Sequence, residues 1–175
     1  MKRTMSNKKQ TGKTETETAT EKTATPVTEN NCDVEKTRQA MSDLYKNVTM
    51  AENCVKTLLP YVEEQEVTKT LHKQVEQYDQ YVEQLDKLCE KLNFDPTPAS
   101  KGVITMANMG IRAKMLTDKS TTHIAKIMLQ GTLNGIIDLY RLIGENEEVH
   151  PEVALMQKQI LRYEEGRFEN LKSWL

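Results

Sequence analysis

Four long segments of this chain repeat apolar residues at alternating three- and four-residue spacing, the signature of helices packed along one face. The first seam runs Met41, Leu44, Val48, Ala51, Val55 and Leu58, and the second Leu71, Val75, Tyr78, Val82, Leu85, Cys89 and Leu92. A third takes Leu129, Leu133, Ile136, Tyr140 and Ile143, and a fourth Val153, Met156, Ile160 and Tyr163, with Ile137, Leu161, Phe168 and Leu171 widening the stripes. Faces this wide suit a globular helical bundle, because a two-stranded coiled coil needs only a narrow seam. Period-two alternation over a strand's length is almost absent, and seven Gly and five Pro are too few to punctuate many strands. The expected class is all-α.

Local chemistry predicts the helix ends. Asp33 is placed to cap the first helix, with Glu35 in its first turn where the macrodipole favours an acid. Pro60 ends or kinks that helix near Leu59, and the run Glu63, Glu64, Glu66 begins the second. The strongest breaker is Asn93-Phe94-Asp95-Pro96-Thr97-Pro98, which leaves Thr97 and Pro98 as cap and first turn of a shorter helix carrying Ile104, Ala107, Ile111 and Met115. Asp118, Ser120 and Thr121 offer caps for the third long helix, which should stop near Gly144 and Asn146. His150-Pro151-Glu152 starts the fourth. The expected wiring is therefore two antiparallel hairpins joined by a crossover that contains a helix of its own.

Composition divides the chain into a tail, residues 1–31, and one bundle domain, residues 32–175. The tail is rich in Thr and Lys and poor in large apolar residues, so it cannot bury enough surface to offset its ordering entropy. Lys2, Arg3, Lys8, Lys9 and Lys13 make its start basic, but no aromatic is interleaved for base stacking, and a solubilising tail is the preferred reading over a nucleic-acid contact. A formal net charge of −2 gives no overall pull toward nucleic acid or an anionic membrane. Neither a secretory leader nor a membrane span is expected. Cys32, Cys54 and Cys89 are odd in number and lack metal-like spacing, which points to a reducing, cytoplasmic setting with Cys89 in the core and Cys54 more exposed.

From DLYKNVTMAE (Asp43 to Glu52), through QVEQYDQYVEQL and the LNFDP break, to HPEVALMQKQILRYEEGRF, the chain resembles the bacterial ferritin-like proteins of unknown function. The resemblance covers about Asp33 to Leu175 and implies a ferritin-like four-helix bundle, a fold whose active members hold two metals inside. Such a centre takes a Glu from each of two helices and a Glu-x-x-His from each of the others, so that carboxylates neutralise the ions and imidazoles complete their shells. Carried over, Glu52 matches the first-helix Glu, and Glu76 with Asp79 occupies the second-helix pair. Leu133 stands at the third-helix acid, and Glu164 with Arg167 fills the fourth-helix pair. Both histidines and one carboxylate are missing.

A guanidinium about 5 Å from a divalent ion opposes it by roughly 6–7 kcal/mol at an effective dielectric near 20. Arg167, on the fourth seam, is therefore expected to act as an internal counter-charge, pairing with Glu164, Glu52 or Asp79. No metal or cofactor is expected. Glu52, Glu76, Asp79 and Glu164 are vestigial ligands on this reading, and iron or manganese is the alternative. The literal Glu147-x-x-His150 precedes Pro151 in a turn and reads as chance; His72 with Glu76 reads as a solvated pair, and His123 as a surface or capping residue.

No Gly-rich phosphate loop, GxSxG elbow or partnered cysteine–histidine pair is present. Gly131 and Gly135 share one helix face and predict close approach by the crossover helix or a second subunit. Met106, Met109 and Met115 predict core filling before interface use. The favoured function is a non-catalytic bundle acting through a second copy or a protein partner. The alternatives are a divergent di-metal oxidoreductase or metal-storage protein, and, more weakly, a nucleic-acid binder using the basic tail.

Overall fold

Asp33 accepts hydrogen bonds from the backbone N–H groups of Glu35 (2.9 Å) and Lys36 (3.0 Å) and so starts α1, Val34–Leu58, as its sequence predicts. The computed structural model describes residues 32–145 and 148–175; the expected tail at 1–31, with its basic start, and Glu147 lie outside them. Pro60 stops α1 through the 3-10 turn Leu59–Tyr61. Helix α2, Gln65–Leu92, closes on Asn93, whose left-handed backbone (φ 55°) directs its N–H to the carbonyls of Cys89 and Glu90.

The next boundary differs from expectation. Ser100, not Thr97, caps α3, Lys101–Met115, by accepting from the Val103 N–H at 3.3 Å. Thr97 is engaged elsewhere, since its N–H donates to Ser42 Oγ of α1 (3.2 Å) and pins the breaker to the bundle. Ser120 accepts from the His123 N–H at the start of α4, Thr121–Glu145. His150 Nδ1 accepts from the Glu152 N–H at the start of α5, Pro151–Leu171, which ends in the 3-10 turn Lys172–Trp174. No strand occurs among the described residues.

Cross-links between helices set their directions. Lys56 meets Asp79, Tyr140 bonds Glu165 and Thr122 bonds Trp174, so α1/α2 and α4/α5 are antiparallel hairpins. Helix α4 also runs antiparallel to α1, with Asn47 on the Gly135 carbonyl and Thr121 bonded to Glu64. Helix α5 runs antiparallel to α2, through Gln74–Arg167, Tyr78–Glu164 and Lys91–Glu152. Since α2 and α4 then point the same way, residues 93–120 must travel the length of the molecule. Helix α3 does so beside α1, held by Asn53 and Thr57 on Asn108.

The core joins all four long helices: Met41, Leu44, Val48, Leu71, Tyr78, Leu85, Ile124, Leu139, Val153 and Ile160 are each no more than 1% exposed. Seams one, two and four therefore face inward largely as read. The third does not. Helix α4 buries Ala125, Met128, Thr132, Ile136, Leu139 and Leu142 and leaves Leu133, Ile137 and Tyr140 at 40%, 56% and 55% exposure. One residue of offset turns a helix by about 100°, and α4 carries apolar residues on both candidate faces. The methionine expectation also splits, because Met115 is buried beside Ile111 whereas Met106 and Met109 are exposed. Among the described residues no helix is long and apolar enough to cross a membrane.

This register of α4 has a direct test. Leu139→Ala should lower the unfolding free energy by about 2–5 kcal/mol through the cavity it leaves. Ile137→Ala should change it by no more than about 0.5 kcal/mol. Urea unfolding of both variants checks that Leu139, outside the predicted seam, is core while Ile137, predicted to widen it, is not.

Candidate functional site

Glu164 and Arg167 lie one turn apart on the inward face of α5, and both are buried. Arg167 donates from Nη2 (2.7 Å) and Nε (3.1 Å) to Glu164 Oε2, and from Nη1 to Gln74 Oε1 at 3.4 Å. The other carboxylate oxygen accepts from the Tyr78 hydroxyl at 2.5 Å. The guanidinium carbon stands 5.5 Å from the centre of the Tyr78 ring, within reach of its π-face. Tyr163 packs edge-on against both Tyr78 and Tyr81, at 5.7 and 5.6 Å between ring centres. A buried ion loses several kcal/mol of hydration, and a buried pair persists when attraction and further hydrogen bonds satisfy both members. Here both carboxylate oxygens and three guanidinium nitrogens are bonded. Burial, with the Glu164 carboxylate adding to it against Arg167, holds the Tyr78 hydroxyl well above its ordinary pKa and keeps it a donor.

The remaining carried-over residues do not join this pair. Glu52 and Asp79 meet across α1 and α2, with the Lys56 ammonium 2.5 Å from the first and 3.3 Å from the second. Burial and a hydrogen bond with Asp79 raise the Glu52 pKa against the pull of Lys56, whereas that same bond, followed by Lys56, lowers Asp79. Glu76 and His72 are exposed on α2, and Leu133 is partly exposed on α4. His123 lies 3.9 Å from Asp118 at the start of α4, and its Nε2 is buried with no partner among the described residues. No three His, Cys, Asp or Glu side chains among the described residues are grouped to hold a metal ion. The residues present do not fit a di-metal centre: one acid is paired with Arg167 inside, two share Lys56 at the α1–α2 surface, and one faces solvent.

Beside the ion pair a cavity of about 550 Å³ opens between α1, α3 and α4, with Glu164 and Arg167 on its inner side. Cys54 lines it, and burial pushes that thiol's pKa up while Arg167 partly opposes the shift. Gly131 and Gly135 line it too, and the crossover helix is not the counterpart that packs on them. A Cβ at Gly131 would meet nothing within 4 Å, and one at Gly135 only the Asn47 side chain at 3.6 Å, so no helix presses on the Gly131 position.

No family model, curated protein or solved structure matches this chain. Sequence reasoning found Arg167 and Glu164 but missed Tyr78 and Gln74 as members of the site. Tyr78 stood on a seam, and a tyrosine at a fully buried position needs a partner for its hydroxyl. Gln74 carried no such mark.

The shifted groups predict how stability responds to alkali. Burial, followed by Asp86 and Asp95, raises the Cys89 thiol from 9.0 to about 11, and burial chiefly raises Tyr163 from 10.0 to about 12. The folded state thus holds these protons where the unfolded chain releases them, so their contribution is complete below pH 9 and drains as pH climbs toward 12. Urea unfolding should show stability falling across that window, with Cys89→Ala making the fall shallower between pH 9 and 11. An unchanged slope in Cys89→Ala contradicts the assignment.

Proposed function

We propose that this protein is a ferritin-like helical bundle that has exchanged metal for an internal arginine, and that it serves as a non-catalytic structural or protein-interaction module. The observation that carries this reading is Arg167, buried on α5 and bonded to Glu164 with Gln74 and Tyr78 completing the cluster. A positive charge built into the chain does there what a cation does between carboxylates, without open coordination positions or redox chemistry. The hairpin–crossover–hairpin wiring is compatible with the ferritin-like resemblance and supports the fold half of the proposal. The competing reading, a divergent iron or manganese oxidoreductase or storage protein, requires Glu52, Glu76, Asp79 and Glu164 around one site, and their separation weighs against it.

Partner binding is the second part. The outward side of α3 and its C-cap expose Val103, Met106, Met109 and Leu116, an apolar surface that supports self-association of two copies. A cytoplasmic setting belongs to the same reading and rests on the odd cysteine count.

Removing one half of the buried pair strands the other. Arg167→Leu should cost about 3–5 kcal/mol in urea unfolding, and the double variant Arg167→Leu/Glu164→Gln should recover most of that loss. Elemental analysis of the aerobically purified protein should give far less than one iron or manganese per chain; stoichiometric metal overturns the proposal. For association, sedimentation equilibrium should register a dimer that Met106→Glu/Met109→Glu converts to monomer, and a monomeric parent protein removes the self-association arm.

A further inference from the structure

We propose that the cavity between α1, α3 and α4 binds a neutral small molecule with an apolar body and one hydrogen-bond-accepting oxygen, received by the hydroxyl of Thr132. Thr132 lines this cavity, is 1% exposed, and its Oγ1 has no hydrogen-bond partner among the described residues. Helical threonines ordinarily return the hydroxyl to the carbonyl one turn back. Thr49, Thr68, Thr70 and Thr105 all do so in this chain, with distances of 2.8, 3.0, 2.9 and 2.8 Å. Thr132 alone among these withholds that bond while buried, and an unsatisfied buried hydroxyl costs about 1–3 kcal/mol. A ligand oxygen in the cavity would remove that cost.

The space itself is held open by composition. Gly131 and Gly135 sit in the interior of a 25-residue helix, where each sacrifices about 1 kcal/mol of helix propensity relative to alanine. Nothing packs within 4 Å of the missing Gly131 Cβ, so close helix approach does not compensate for it. The resulting volume, about 550 Å³, lies within the roughly 300–1,000 Å³ typical of small-molecule sites. Met50, Val55, Leu58, Ile111, Ile127 and Met128 supply apolar wall.

Charge bookkeeping around the cavity selects a neutral occupant. Arg167 is matched by Glu164 on the inner side, and at the rim Lys46 is paired with Asp43 at 3.1 Å and Arg141 with Asp138 at 3.5 Å. Lys114, on the rim, is exposed, where salt screens its charge. An ionised head drawn inside would give up water and find the one unmatched charge among the described residues of the lining, Lys114, out at the exposed rim.

The probe is 6-propionyl-2-dimethylaminonaphthalene, a neutral fluorophore with an apolar ring system and a single ketone oxygen. Titrated with the full chain, it should bind saturably at one site per chain with blue-shifted emission. Gly131→Leu, which adds a side chain to the cavity lining, should weaken binding at least about tenfold, and Thr132→Val should weaken it several-fold through loss of one hydrogen bond. Circular dichroism should show Gly131→Leu as helical and at least as thermostable as the parent, since leucine is the better helix former. No saturable binding by the parent overturns the proposal, as does undiminished binding by Gly131→Leu. Preferential binding of anionic 1-anilinonaphthalene-8-sulfonate, with the same sensitivity to Gly131→Leu, overturns the assignment of a neutral ligand.

Discussion

One guanidinium and one carboxylate have been taken out of water together, and the surroundings of α2 and α5 answer to that. Glu164 needs donors on both oxygens, and Arg167 needs acceptors in a low-dielectric space, so α2 must present Tyr78 and Gln74 at matching heights. Those two contacts, one turn apart on α2, meet residues three apart on α5 and so fix the register of two helices distant in sequence. Apolar packing alone tolerates sliding more readily, because one leucine replaces another. Tyr163 and Tyr81 close the cluster with edge-on ring contacts.

Much of this architecture was legible in the residues. Asp33, Pro60, Ser120 and Pro151 act through strictly local chemistry, and the helix boundaries they imply agree with the structure. The Thr97–Pro98 boundary was misread because a second capping hydroxyl, Ser100, follows three residues later and starts α3, while the Thr97 N–H ties the breaker to Ser42 more than fifty positions away. The α4 face was misread for a different reason. Periodicity favours the bulkiest repeating residues, but α4 turns Thr132 and Gly135 toward the bundle and leaves Leu133, Ile137 and Tyr140 outside.

The site shows the same division. Arg167 could be identified as an internal charge because it interrupts an apolar seam, and Glu164 as its partner because three residues on a helix are neighbours. Glu52 and Asp79 could be placed near each other, but the lysine that joins them is an i,i+4 neighbour of Glu52 whose reach across to α2 depends on tertiary packing. The cavity was invisible, since it is made of what α4 lacks. Two glycines read as a packing motif, but only Gly135 is approached, by the Asn47 side chain of α1, while Gly131 faces open space.

The crossover has a consequence for the order in which the protein can be finished. Because α2 and α4 run the same way, α1 completes its surroundings with residues made much later: Asn47 bonds the Gly135 carbonyl, and the Asp33 N–H bonds the Glu148 carbonyl at 2.8 Å. On a ribosome the first hairpin therefore emerges with one side of α1 still uncovered, and it stays so until α4 has followed. Such an uncovered apolar flank is the kind of surface that chaperones shield during synthesis, and the arginine arrives only with α5, after α1 through α4.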